Sequence, residues 1–266
     1  MEFIKTYLGY IKLFVKGKME YRFSFFAGIF ANFFCYFITY CTFWVLTSRF
    51  DSIAGWNFEE MSVMYGLNLL TYSTSGLFYW YTIYHLDQEI ISGRMDIYLL
   101  RPMGVIKQMV CHRFGDTFIG QILVTVIFMV SAFTKISYQL TAFSYIYLVF
   151  AIIGGVLIQS GAMVMLGSLN FWTMRANELS GFLYYDIRAL INYPLDIFPQ
   201  FMQIILTFIL PWALINYYPA LIILNKVQTP LEMVIALCVP AFGALFFALS
   251  VKVFNLGLRR YSGTGS

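Results

Sequence analysis

The sequence predicts an all-α integral membrane protein with six transmembrane helices, an N-terminal amphipathic interfacial helix, and broken re-entrant helices between spans 5 and 6. Three observations carry this prediction. Of 266 residues, 60% are hydrophobic and only 11% charged, against about 25% charged in soluble domains, so folding in water cannot hide the apolar surface. Residues 23–48, 61–84, 117–134, 136–174, 197–225 and 233–251 contain no Asp, Glu, Lys or Arg, and most of these runs supply the roughly 20 apolar residues that one crossing needs. With both termini in the cytoplasm, all of the 17 Lys and Arg except Arg49, Lys135 and Lys226 fall on the inner side, as the positive-inside rule requires.

In the opening stretch MEFIKTYLGYIKLFVKGK, Phe3, Ile4, Tyr7, Leu8, Ile11, Phe14 and Val15 share one face at about 100° per residue, with Lys5, Lys12 and Lys16 beside it. Residues 1–22 therefore read as a helix lying in the cytoplasmic interface. Charges spread from Lys5 to Arg22 leave no apolar segment ahead of a cleavage site, which argues against a removed signal peptide. The first outer loop, residues 49–60, is short and holds Asp51, Glu59 and Glu60, the last two favouring the start of the next helix.

Residues 84–116 form the long hydrophilic insertion between spans 2 and 3. A helix extending from span 2 through Ile91 stops at Gly93, which can take the left-handed cap conformation. Pro102 turns Arg101 away from helix and can open the next one, leaving residues 94–100 as a short rigid elbow. That elbow combines Arg94 and Arg101 with Met95, Ile97, Leu99 and Leu100, buryable surface next to charge. Such a surface suits docking of a soluble partner; the alternative is a loop whose apolar side meets lipid and whose charges meet water.

The second outer connection, KISYQLTAFS, is again short, so no extracellular domain exists between spans 3 and 4. Span 5 begins near Ser180 and runs through FLYYDIRALINY. Pro194, Pro199, Pro211 and Pro219 then interrupt the following apolar run, a spacing that a straight membrane helix does not tolerate easily. Residues 194–225 are accordingly expected as two half-helices entering and leaving on the outer side, before span 6 descends from Glu232 to Lys252. Residues 1–266 make a single membrane domain.

Several chemistries are excluded or disfavoured. Only Asp186, Arg188 and Asp196 approach the membrane, near the ends of helix 5, which disfavours an ion-coupled carrier. His85 and His112 show no HExxH pairing, GxSxG is absent, and so is GxxxxGK[ST]. The chain is therefore expected to be no enzyme, to hold no metal and no cofactor, and to rely on another subunit for any ATP. Cys35, Cys41, Cys111 and Cys238 lack CxxC spacing and are expected to be small buried hydrophobes.

Two motifs carry a resemblance that covers essentially the whole chain. Gly93, Asp96, Leu99, Arg101 and Pro102 fit G-x-x-D-x-x-L-x-R-P, and NYPLDIFPQFMQIILTFILPWALINYYPALIIL contributes Tyr193, Pro194, Ile197, Phe198, Pro199, Pro211, Pro219 and Ala220. On these residues the chain resembles the permease subunits of bacterial six-span type 2 ATP-binding-cassette (ABC) exporters. The resemblance implies that Gly93, Arg94, Asp96, Leu99, Leu100, Arg101 and Pro102 couple to separate ATPase subunits that hold ATP and Mg²⁺. It also implies a second permease, identical or different, and a place in the bacterial cytoplasmic membrane. Pro194, Asp196, Pro199, Pro211 and Pro219 would form an outer re-entrant gate. Asn68, Tyr72, Ser75, Tyr79, Tyr184, Tyr185 and Asn192 are the candidate substrate pathway, suited to an amphiphilic or aromatic cargo, cationic ones included; helix packing is the alternative role for each. A non-transporting scaffold or assembly subunit and a lone channel are the competing functions.

Overall fold

The computed structural model describes residues 2–50, 52–112, 114–136, 141–173 and 176–261. Asp51, Arg113, Arg175 and the centre of the second outer loop, 137–140, lie outside the described residues. Helix α1 (Glu2–Lys18) runs through a 3₁₀ turn (Met19–Tyr21) into α2 (Arg22–Thr47), followed by α3 (Phe58–Tyr84). Three short helices come next: α4 (Leu86–Ile91), α5 (Met95–Leu99) and α6 (Val105–His112). Then come the long α7 (Phe118–Lys135) and α8 (Ala142–Ser168). Helix α9 (Ala176–Gly181) continues through a π-helical segment (Phe182–Asp186) into α10 (Ile187–Leu190). Helix α11 (Gln200–Ile204) likewise gains a π-helical segment (Ile205–Ile209) before α12 (Ala213–Ile223), and α13 (Pro230–Leu258) closes the bundle.

Four stretches are long and apolar enough to cross a membrane: Tyr7–Val45, Phe118–Lys135, Ala142–Phe171 and Pro230–Leu258. The pair Gln200–Ile209 and Ala213–Ile223, bent by 104°, makes a fifth if counted as one span. The six-span expectation includes two helices that do not meet this standard. Helix α3 has 27 residues, ample length, but Glu59, Glu60, Asn68, Thr71, Ser73 and Ser75 dilute its apolar character. The helical stretch from Ala176 to Leu190 would rise only about 22 Å at 1.5 Å per residue, short of a hydrocarbon core about 30 Å thick.

Helix α3 is the hub, packed against α7, α8 and α12, while α8 also packs along α13. The approach of α8 to α13 depends on glycine: a Cβ on Gly243 would lie 2.5 Å from the Gly154 carbonyl oxygen. Small residues at membrane helix contacts let backbones close in this way. Helix α1 does not stand alone; Tyr7 lies 5.9 Å from Phe78 and Phe14 lies 6.2 Å from Phe114, ring to ring, and Lys18 pairs with Asp116 at 3.4 Å.

The prolines act at boundaries, with two exceptions, Pro219 in α12 and Pro240 in α13. Pro194 precedes a 3₁₀ turn, Pro199 caps α11, and Pro211 sits in the sharp bend between α11 and α12. Pro219, expected to break the run, lies fully inside α12 without ending it; a buried helix tolerates the lost hydrogen bond when neighbours re-satisfy the freed groups. The cysteines also differ from expectation. Cys111 is buried, whereas Cys35 and Cys238 are exposed on the bundle's outer surface, where an apolar thiol can face lipid.

Candidate functional site

The insertion between α3 and α7 folds as a hinged foot. Helix α3 ends at Tyr84 and does not run on through Ile91, because His85 leaves the helical basin (φ −117°, ψ 6°). Gly93 then takes φ 70°, a conformation that suits a residue without Cβ. The elbow itself is one helical turn, α5, and α6 opens at Val105 rather than at Pro102.

This turn has an inner and an outer face. Met95 is fully buried against Leu86, Val105, Met109, Val164 and Phe254, a small core of its own at this end of the bundle. Gln108, also buried, donates through Nε2 to the carbonyl of Tyr98 at 2.8 Å and to that of Met103, tying the elbow to α6. Arg94 Nε pairs with the buried Glu89 at 3.1 Å, so its charge is engaged within the foot. Tyr261 stands beside Asp96; burial first, and then that carboxylate, push its phenol above the usual pKa. On the outer face Ile97 and Leu99 are half-exposed, Leu100 is 86% exposed, and Arg101 and Pro102 are exposed with them. An apolar surface held out beside an arginine on a rigid base is what a docking element requires.

A second polar region lies inside the bundle. Asn68 on α3 is the centre: its Nδ2 donates to Asn192 Oδ1 at 2.8 Å, and its Oδ1 accepts from Arg188 Nη1 at 3.0 Å and Gln159 Nε2 at 3.4 Å. Tyr184 donates its hydroxyl to Gln159 Oε1 at 2.6 Å, and Trp80 Nε1 donates to the Tyr185 hydroxyl at 2.7 Å. The Arg188 guanidinium stacks on Tyr72, 4.2 Å from the ring centre. Asn68 lies ten residues into α3, about 15 Å from its first turn at 1.5 Å per residue, so this network sits deep in the bundle.

Of the candidate pathway residues, Asn68, Tyr72, Tyr184, Tyr185 and Asn192 are thus brought together. Ser75 and Tyr79 are not. Ser75 donates to the Val156 carbonyl at 3.0 Å, a helix-packing bond, and Tyr79 packs toward the foot, 5.6 Å from Phe247. The sequence left Arg188 near a helix end, as an interfacial anchor or a gate or substrate contact, without joining it to these residues, and singled out neither Gln159 in the network nor Gln121 beside it. A signal for the latter two existed: each is an isolated amide in the helical core of an otherwise apolar run. Beside the network a cleft of about 510 Å³ opens between α2, α3, α7 and the π-helical segment, with Tyr36, Tyr72, Trp80, Gln121 and Tyr185 on its walls.

Of the expected gate residues, Asp196 is held by bonds to Trp56 and Tyr217 at the other end of α3 from the foot: it accepts from Trp56 Nε1 at 3.0 Å and from the Tyr217 hydroxyl at 2.7 Å. Lys226 pairs with Glu60 at 2.6 Å, donates to the Gly55 carbonyl at 2.7 Å and lies 4.7 Å from the Trp56 ring centre. Both ends of the broken segment are therefore fastened to the same loop, 49–60. Pro194, Pro211 and Pro219 are buried, and Pro199 is exposed. Among the described residues no group of three or more His, Cys, Asp or Glu is placed to hold a metal ion.

A family profile described as ABC-2 family transporter protein matches residues 33–265, taking in the foot, the buried network and the broken segment. Neither the curated proteins nor the solved structures contain a match. Membership of that family implies a multi-pass membrane protein that associates with ABC ATPase subunits. Because the match extends over well more than half of the sequence, the chain belongs to the ABC-2 family of transporter proteins.

Proposed function

We propose that the chain is the permease subunit of an ATP-driven exporter in the bacterial cytoplasmic membrane. It would pair with a second permease and with separate ATPase subunits that bind ATP and Mg²⁺, and extrude an amphiphilic or hydrophobic substrate. The observation that carries this reading is the foot: an exposed apolar and basic face at residues 97–102, braced from beneath by Met95 and Gln108.

In this reading α2, α3, α7, α8, the stretch from α9 to α10, and α13 are the six spans, and both termini are cytoplasmic. Helix α1 lies along the inner interface, with Lys12 and Lys16 exposed. The segment from α11 to α12 re-enters the membrane from outside; the bonds of Asp196 and Lys226 to the one loop support this, since a full crossing would carry those ends to opposite sides. Export rather than import is favoured because the connections at that end are too short to receive cargo from a binding protein.

ATP binding would bring two ATPase subunits together and draw the two feet with them. Force applied to α5 passes through the Met95 core to α8 and α13, and through α4 to α3, because the foot is packed on these elements and is not a free loop. Such a switch needs contacts that differ between the two ATPase states. The test is direct: purify the chain with its membrane partners and measure ATP hydrolysis of the chain alone and of the complex. Hydrolysis confined to a complex containing an ATPase supports the proposal, and robust hydrolysis by the chain alone would contradict it.

A further inference from the structure

The cleft beside the buried network has polar groups that the fold leaves unused. Gln121 on α7 is fully buried on the cleft wall with its amide beside the Tyr36 hydroxyl, and its Oε1 has no hydrogen-bond partner. Asn32, also on the wall, leaves its Oδ1 without a partner. A buried polar atom without a partner costs about 1–3 kcal/mol, so such groups invite a ligand or water that supplies the missing bonds.

The charge beside them is one-sided. Arg188 stands behind the cleft wall, its guanidinium stacked 4.2 Å from the ring centre of Tyr72, which lines the cleft. Among the described residues it has no carboxylate within ion-pair distance, and its buried Nε has no acceptor. The acids nearest in sequence are turned elsewhere: Asp186 is exposed and Asp196 is taken by Trp56 and Tyr217. Cations deep in a membrane protein ordinarily pair with an anion or mark a pathway. The remaining walls are aromatic, with Trp80, Tyr84, Tyr185 and Phe118 bordering the volume.

We infer that this cleft is a binding site for an anionic amphiphile, whose acid group is drawn to Arg188 and whose apolar or aromatic body lies among the rings. The inference rests on the exporter reading only for its meaning as a cargo site; the binding itself requires neither an ATPase nor transport. It reverses the allowance for cationic cargo, because an ammonium group would meet an uncompensated guanidinium. The unmet amide oxygens of Gln121 and Asn32 would accept from polar groups along the body of the ligand.

The test uses the full chain in nanodiscs of zwitterionic lipid, with tryptophan-to-pyrene energy transfer as readout and empty nanodiscs as blank. Three probes of one skeleton are compared: 1-pyrenebutyrate, its methyl ester, and the trimethylammonium analogue. The acid is expected to bind about tenfold more tightly than either of the others, a difference of about 1.4 kcal/mol. Arg188→Gln should abolish that preference, so that acid and ester bind alike, and Arg188→Lys should retain most of it. Butyrate lacking the ring should not displace the acid at equal concentration; if it does, the site is a simple anion site and the amphiphile assignment is wrong. Equal binding of acid and ester by the unaltered chain, or preference for the ammonium probe, would overturn the inference even if Arg188→Gln fails to fold. Loss of ATPase association would instead sink the exporter reading and leave the cleft result standing.

Discussion

The foot and the buried network are two polar regions of an apolar chain, and they are built in opposite ways. In the foot, polar groups work inward: Gln108 holds two carbonyls, Arg94 is paired with Glu89, and the apolar side chains Ile97, Leu99 and Leu100 are pushed out. In the network around Asn68, the apolar shell is outside and the hydrogen-bonding groups face one another, and among the described residues no carboxylate pairs with Arg188. Each leaves a buried polar atom unmet, Gln108 Oε1 in the foot and Arg188 Nε in the network, but the first presents a stiff surface to a partner and the second encloses a cation. Stiffness suits transmission of force; an enclosed cation suits a ligand or a rearrangement.

The comparison is broken most severely at Met95. Met95→Asp would place an unpaired carboxylate in the core beneath the foot, a penalty of about 3 kcal/mol or more for a buried unmatched polar group. Hydrogen exchange across residues 94–108 should accelerate strongly, while the Asn68 network keeps its protection; uniform loss of protection would mean that the foot is not a separate unit. Gln108→Leu is the milder version. It leaves the Tyr98 and Met103 carbonyls without their donor, about 1–3 kcal/mol, and should expose the elbow to limited proteolysis without changing the expression of the protein.

On the network side the expected effects are smaller. Tyr184→Phe removes one bond to Gln159, about 1 kcal/mol, and should lower the melting temperature by a few degrees with ATPase association unchanged. If Tyr184→Phe instead releases the ATPase, the two regions are coupled through this bond and their separation is wrong.

Much of this architecture was legible in the sequence, and the residues show where legibility ended. Gly93 was readable because only a positive φ needs glycine between two helical patterns, and its φ of 70° follows. Pro194, Pro199 and Pro211 were readable because proline lacks an N–H and marks boundaries. Pro219 was not, since neighbours inside a buried bundle can accept a proline within a helix. The break at His85 had no Gly or Pro to announce it. The position of Arg188 was hidden for another reason: the π-helical segment just before it re-aims the side chains, and a regular period of 3.6 does not foresee that. The amide pair of Asn68 and Asn192 was legible as composition, but its bond joins residues 124 apart in sequence, which no local pattern contains.

The central claim is that the outer face of the foot is where an ATPase docks, and one comparison tests it most directly. Arg101→Glu reverses the exposed charge while keeping Pro102, Met95 and the Gln108 bonds; Lys12→Glu makes the same change on α1, where lipid is expected. Reversing a charge at a docked interface is expected to weaken association by about 2–5 kcal/mol. The measurement is the amount of ATPase subunit recovered with each purified variant, at equal levels of permease in the membrane. The account predicts near-complete loss with Arg101→Glu and recovery close to the unaltered protein with Lys12→Glu. Full recovery of the ATPase with Arg101→Glu would contradict it.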